Sequence, residues 1–315
     1  MGGLHNVGKY VTSGAKELGK DLKIAFDHAA QALHDAVRTA PKEFTVPTIT
    51  FYVQEDIGIS KSLKKELEEI DSTAGLLTGV YIPPSVKPGK TVNVIFYIHG
   101  DKVRVWGAKG TIRDYWNLPV VPLRQGLSAS GQPFILIAPT LGHYSAAEHG
   151  NLGTKIDDHL DHVLAQIAKV GPPEFPITGT PTIDRLIIAG HSGAYASISE
   201  ILSNIKKYRG NIKELWAFDI MYADLSTKLT ALGVPVYAYF VKGSDTEDNS
   251  LALARKKNPN VFVMENVDSF VVTKGKAEKV RVKHDNLMQR FWQERCQRIG
   301  TNGSNPEDKK RMVTG

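Results

Sequence analysis

The chain is 315 residues long, 42% hydrophobic and 23% charged, with a formal net charge of +6. That length buries a substantial core, as one large domain or one domain with additions, and the composition excludes a disordered or fibrous class. No window reaches the roughly 18 apolar residues of a membrane span, and the lone Cys296 excludes an intrachain disulfide and argues against a cysteine-built zinc site.

The start, Met1-Gly2-Gly3-Leu4-His5, carries no apolar stretch of the secretory kind, so the expected location is cytoplasmic. From residue 9 to 38, Val11, Ala15, Leu18, Leu22, Ala25, Ala29, Ala32 and Ala36 recur at alternating spacings of four and three. This pattern predicts a helix with a shallow, alanine-rich seam, either packed on the domain surface or serving a homo-oligomer. Pro41 and Pro47 then interrupt the chain. The expected organisation is therefore a helical extension over 1–43, a main domain over 44–300, and a polar, disordered tail over 301–315.

The main domain alternates strand and helix. Strands are expected at 48–53, 76–82, 92–98, 134–138, 185–189, 214–218, 234–241 and 260–263. Several are continuous apolar runs, as suits strands buried on both faces. Helical stripes fall between them: Ile156, Leu160, Val163, Leu164 and Ile167, then Ala194, Ile198, Ile201, Leu202 and Ile205 within a helix over 195–208. The expected fold is α/β, with a mostly parallel central sheet of about eight strands, helices on both faces, and an N-terminal helix before it. From residue 270 onward basic residues outnumber acids, Lys274, Lys276, Lys279, Arg281 and Lys283 among them. No nucleic-acid recognition motif accompanies them, so they read as a solvated face, with no nucleic-acid partner and no transmembrane segment expected.

In such sheets chemistry gathers beyond the C-terminal strand ends. His99-Gly100-Asp101 follows the third strand, Pro139-Thr140-Leu141-Gly142-His143-Tyr144 the fourth, Asp219 the sixth and Gly243-Ser244-Asp245 the seventh, with His284 after the eighth. After the fifth stands Gly190-His191-Ser192-Gly193-Ala194, which runs directly into a helix. Strand, sharp turn and helix with a serine at the apex lift a hydroxyl out of the sheet and put the next backbone N–H at a helix start. The strain of such a turn calls for small flanking residues, met by Gly190 and Gly193, with Ala194 at a position more often glycine.

Serine, acid and histidine thus follow the chain order of the α/β-hydrolase superfamily, which residues 45–300 resemble. Within it the chain looks most like bacterial hydrolase-like proteins that combine a His-Gly strand end, a Pro-Thr-Leu-Gly loop, an Ala-Gly-His-Ser-Gly turn and a Phe-Asp-x-x-Tyr strand end. Here these are His99-Gly100, residues 139–142, 189–193 and 218–222. The resemblance implies a serine hydrolase cleaving carboxylic esters or lipid-like small molecules through an acyl-enzyme, without a cofactor. The alternative is a binding or scaffold protein that kept the fold without turnover.

A serine hydroxyl needs a base within hydrogen-bond reach, and the base needs an orienting acid. Ser192 is the expected nucleophile and His284 the base. Asp219 is the preferred acid, and Asp245 is the alternative, in a polar loop beside Glu247 and Asp248. Oxyanion donors are expected at Gly193 and at Gly100 or Asp101. Trp106, His143, Tyr144 and Tyr195, with Tyr115 and Trp116, are candidates to line a substrate pocket. His159 and His162, beside Asp157, Asp158 and Asp161, read as the solvated face of a helix, so no metal site is expected.

Overall fold

The structure is a computed structural model that describes residues 49–54, 77–100, 112–116, 121–141, 152–170, 175, 179–266, 269–273, 276–280, 284, 287–301 and 313. The predicted helix over 9–38 and the whole 1–43 extension lie outside these residues. All described residues fall in one compact unit, Val46–Gly315.

The main sheet comprises β1 (Ile49–Gln54), β2 (Leu77–Ile82), β3 (Thr91–Ile98), β4 (Phe134–Pro139), β5 (Thr182–His191), β6 (Ile212–Phe218), β7 (Val236–Val241) and β8 (Val261–Asn266). Their spatial order is β1-β2-β4-β3-β5-β6-β7-β8. The β1–β2 and β2–β4 pairs are antiparallel, and every pair from β4 to β8 is parallel. The helices are α1 (Ile112–Tyr115), α2 (Leu123–Ser130), α3 (Ile156–Val170), α4 (Tyr195–Asn204), α5 (Ser226–Thr230), α6 (Glu247–Arg255) and α7 (Leu287–Gln297).

The period-2 geometry of a strand explains the two cores. Val94, Phe96 and Ile98 of β3, Leu186 and Ile188 of β5, and Leu215 and Ala217 of β6 face one layer. There they meet Ile156, Leu160, Val163, Leu164 and Ile167 of α3 and Ile198, Ile201 and Leu202 of α4, the two stripes read from sequence. Their neighbours Ile95, Tyr97, Ile187, Ala189, Trp216 and Phe218 face the other layer, against α1, α2 and α7. That second core is rich in aromatic rings. Trp292 of α7 meets Tyr97 edge-on at 5.4 Å and Trp216 at 5.5 Å, and its indole N–H donates to the Leu123 carbonyl of α2 at 2.8 Å. The helix that follows His284 is thereby pinned to the sheet.

Local departures from the sequence reading have identifiable causes. β5 begins at Thr182, ahead of its apolar run, because Thr91 and Val92 of β3 continue the ladder onto Thr182 and Ile183. The helix expected over 195–208 stops at Asn204. The Asp157 carboxylate accepts from the backbone N–H groups of Lys206, Lys207 and Tyr208, offering them partners outside the helix. An unanticipated antiparallel hairpin, β9 (Ser269–Thr273) with β10 (Lys276–Val280), occupies part of the basic stretch. In the sequence, the β-branched run Val271-Val272-Thr273 followed by a glycine two residues on is a weak hairpin signal that the charge excess obscured. Within the 301–315 tail, expected to be disordered, Val313 donates its N–H to the Val263 carbonyl of β8 at 3.0 Å and packs on the core. β8 is an edge strand whose outer backbone groups are open to such pairing.

Candidate functional site

The strand order fixes where a crevice opens. The chain runs from β3 outward to β4, then crosses back to β5 on the other side of β3. Between the C-terminal ends of β3 and β5 the winding reverses, which is where open α/β sheets bind their ligands. Gly100 lies beyond the end of β3 and Ser192 just beyond β5. They touch so closely that a Cβ on Gly100 would stand 2.9 Å from the Cβ of Ser192 and 3.1 Å from the His191 carbonyl oxygen. Only a residue without a side chain allows that approach.

Ser192 has φ 54°, the left-handed region that non-glycine residues rarely occupy. It opens a 3-10 turn, Ser192–Ala194, that leads straight into α4. The backbone N–H of Gly193 therefore sits at a helix start. A Cβ on Gly190 would collide with the Ala194 Cβ at 2.8 Å and with Ile198 at 2.4 Å. Glycine is thus required at 190, while the methyl of Ala194 occupies the buried space beside it.

His284 bridges the serine and an acid. Its Nε2 is 2.8 Å from Ser192 Oγ, and its Nδ1 is 2.6 Å from Asp219 Oδ2. A carboxylate only accepts, so Nδ1–H donates to Asp219 and Nε2 is left to accept the serine hydroxyl proton. Ser192 and Asp219 are buried, and the imidazole is 31% exposed, open on one side to the crevice. Asp219 also has φ 54°, and its backbone N–H donates to the Tyr239 carbonyl of β7 at 2.8 Å, which holds the turn.

Of the two acids considered from sequence, Asp219 faces His284. Asp245 is an exposed residue in the turn before α6. What that turn sends inward is Thr246, fully buried, whose hydroxyl donates to Asp219 Oδ1. Ser244 Oγ lies 2.9 Å from Thr246 Oγ1 and, with the threonine proton committed, donates to it. Both oxygens of the buried carboxylate are therefore partnered, which is what its burial requires.

His99 is buried and spans two strand ends. Its Nε2 accepts the Leu141 N–H at 2.9 Å, so Nδ1 carries the proton and donates to the Gly100 carbonyl at 2.9 Å. The Gly100 N–H, one of the donors anticipated for an oxyanion, is instead directed at the Tyr115 hydroxyl at 3.4 Å. Tyr115 and Trp116, expected as pocket lining, are fully buried in the second core. Burial pushes the Tyr115 phenol up to about 12, against hydrogen bonds from Tyr97 and Gly100 that lower it. Tyr195 is 36% exposed at the start of α4, with its ring 6.0 Å from that of Tyr222, which is 40% exposed. Tyr222 in turn meets the His284 ring edge-on at 6.4 Å. Asp101, Trp106, His143 and Tyr144 lie outside the described residues.

His159 differs from its sequence reading. It is fully buried, edge-on to Phe96 at 5.6 Å, because α3 turns this position into the first core. Asp161 accepts from Lys207 at 2.6 Å and from the Tyr208 hydroxyl. Among the described residues no group of three or more His, Cys, Asp or Glu could hold a metal ion, and no helix is long and apolar enough to cross a membrane. The sequence reading passed over Thr246 and gave no role to His191 or Tyr222. The last two carried a signal, His191 as the immediate neighbour of the serine and Tyr222 as the end of the Phe-Asp-x-x-Tyr motif.

The sheet order, the lone antiparallel β2 among parallel neighbours, and a serine at φ 54° between β5 and α4 define the α/β-hydrolase fold. No family model matches the sequence, and no curated protein does. Solved structures with a similar course include an S-formylglutathione hydrolase from Agrobacterium tumefaciens, at 13% identity and TM-score 0.45, covering 84% of this chain and 95% of that one. A thermostable esterase from Pseudomonas putida ECU1011 aligns at 13% identity and TM-score 0.42, covering 92% and 91%. The poly(3-hydroxybutyrate) depolymerase LpqC from Bordetella parapertussis aligns at 12% identity and TM-score 0.44, covering 84% and 93%.

Proposed function

We propose that the chain is a serine hydrolase that cleaves carboxylic esters through an acyl-enzyme. The observation that carries this reading is one imidazole bridging Ser192 Oγ at 2.8 Å and Asp219 Oδ2 at 2.6 Å, at the sheet's switch point. Ser192 Oγ attacks the ester carbonyl carbon as its proton passes to His284 Nε2. Asp219 holds the proton on Nδ1 and stabilises the imidazolium. His284 then returns the proton to the departing alkoxide, leaving an acyl-serine. In the second half, His284 takes a proton from water, the hydroxide attacks the acyl carbon, and Ser192 recovers its proton as the acid leaves.

The carbonyl oxygen, negative in both tetrahedral intermediates, is met by the Gly193 N–H, at the turn that leads into α4. Each such donor is typically worth about 10²–10³ in rate. The chemistry calls on no cofactor. Tyr195 and Tyr222, at the rim beside His284, form an aromatic wall for the apolar part of the ester.

The test is a panel of short-chain aryl esters run alongside labelling with a fluorophosphonate. The expected outcome is turnover and one label per chain in the native protein. Ser192→Ala should lose label and activity together, a loss on the order of 10⁶. A native protein that neither labels nor turns over would mean a non-catalytic scaffold, and a Ser192→Ala variant with full activity would refute the nucleophile.

A further inference from the structure

We propose that His191, the residue before the serine, is a positioning residue that locks the His284 imidazole in register and ties it, through Tyr115, to Gly100 beyond the end of β3. The proposal rests on the serine-hydrolase reading and goes beyond it.

His191 is buried, 2% exposed, at the end of β5. Its ring stacks on that of His284, with centroids 4.8 Å apart and planes 23° apart. Its Nε2 lies 3.3 Å from the backbone carbonyl oxygen of His284. A carbonyl can only accept, so Nε2 carries the proton and Nδ1 is an acceptor. The atom facing Nδ1 is the Tyr115 hydroxyl, at 3.4 Å, which therefore donates to it. With its proton committed, Tyr115 Oη receives both the Tyr97 hydroxyl, at 3.0 Å, and the Gly100 N–H. One polarity satisfies the whole chain: Tyr97 to Tyr115, Tyr115 to His191, and His191 to the main chain of His284, with Gly100 as a branch.

The chain spans the crevice. At one end it grips the backbone of the base. At the other it holds Gly100, which lies against Ser192. The base needs such support, since its imidazole is partly exposed and touches Ser192 and Asp219 only through its two nitrogens. A flat ring stacked on it restricts rotation without competing for either nitrogen. The supporting ring must also stay neutral, because a cation there would oppose the imidazolium that His284 becomes. Burial, with the nearby charge of His284, pushes His191 down to about 3, against an opposing pull from Asp219.

Three variants separate positioning from bulk stability: H191F keeps a flat ring without the donor, H191Q keeps a donor without the ring, and Y115F removes the hydroxyl that orients His191. Each is titrated with a fluorophosphonate, so that kcat is counted per intact site, and melted to record stability. H191F should lower kcat on the order of 10², with KM within about twofold of native, since small misplacements of a catalytic group cost that much. H191Q should recover part of the loss, and Y115F should lower kcat about tenfold, the scale of one buried hydrogen bond. A purely structural role would lower the melting temperature and leave kcat per titrated site unchanged, which would overturn the proposal. If H191F does not fold, an unchanged kcat in Y115F overturns it equally. If the native protein is itself neither active nor labelled, the hydrolase reading fails first and this one with it.

Discussion

β6 and β7 are parallel neighbours, and each is followed at its C-terminal end by a turn carrying an aspartate, but the two turns behave differently. Asp219 is fully buried at φ 54°, with one oxygen on His284 and the other on Thr246. Asp245 is exposed, and the left-handed step in its turn falls to Gly243, at φ 77°. A left-handed non-glycine residue costs about 1–2 kcal/mol, and Asp219 is held there by its N–H to Tyr239 and its buried carboxylate contacts. The glycine turn needs no such support and serves as a platform for Thr246. A strand-end position makes an acid available. Burial with a partner for each oxygen suits it to the proposed orienting role.

The contrast can be broken by exchanging roles. Asp219→Asn should lower kcat on the order of 10⁴, because an amide favours the wrong imidazole tautomer. Turnover of an aryl ester measures it, and a collapse in Asp245→Asn instead would reverse the comparison. Thr246→Val keeps the volume and deletes the second contact to Asp219. Hydrogen bonds to charged groups are worth about 1.5–3 kcal/mol, so kcat/KM should fall by at least about tenfold, with a lower melting temperature.

A smaller effect follows acid. The groups facing His191 are the His284 ring, the Tyr115 hydroxyl and, through space, Asp219. Because its folded pKa is pushed down to about 3 from 6.5, the unfolded chain binds the extra proton between those values. Stability from this group is thus complete above pH about 6.5 and is lost as pH falls through that window, by at most about 1.4 kcal/mol per pH unit. Melting temperatures recorded from pH 7 to 4 should decline less steeply in H191Q than in the native protein. The smallest effect sharpens the contrast from the other side. Asp245→Asn should leave stability within about 0.5 kcal/mol, as surface changes do, and turnover within about twofold.

Much of the frame was legible in the residues. The runs of β3, β4 and β5 and the stripes of α3 and α4 are local periodicities, and burial follows period directly. Gly190 and Ser192 were legible for a similar reason, since the sterics of a tight turn act on adjacent residues. His159 was misread because three acids beside it on α3 suggested a wet face, whereas the helix's orientation on the sheet turned that position inward.

By itself the sequence determined the alternation of strands and helices, the serine turn after β5, and a short set of strand-end acids and histidines. Only the tertiary structure decided which of them meet. His284 lies 92 residues from Ser192 and 65 from Asp219, and Asp219 and Thr246 are 27 apart. No local pattern encodes contacts across such separations. They exist because β5, β6 and β7 lie side by side and present their C-terminal ends to one crevice. The same packing chose Thr246 over Asp245, placed His191 against His284, and stopped α4 just before Asp157 captures the amides of Lys206, Lys207 and Tyr208.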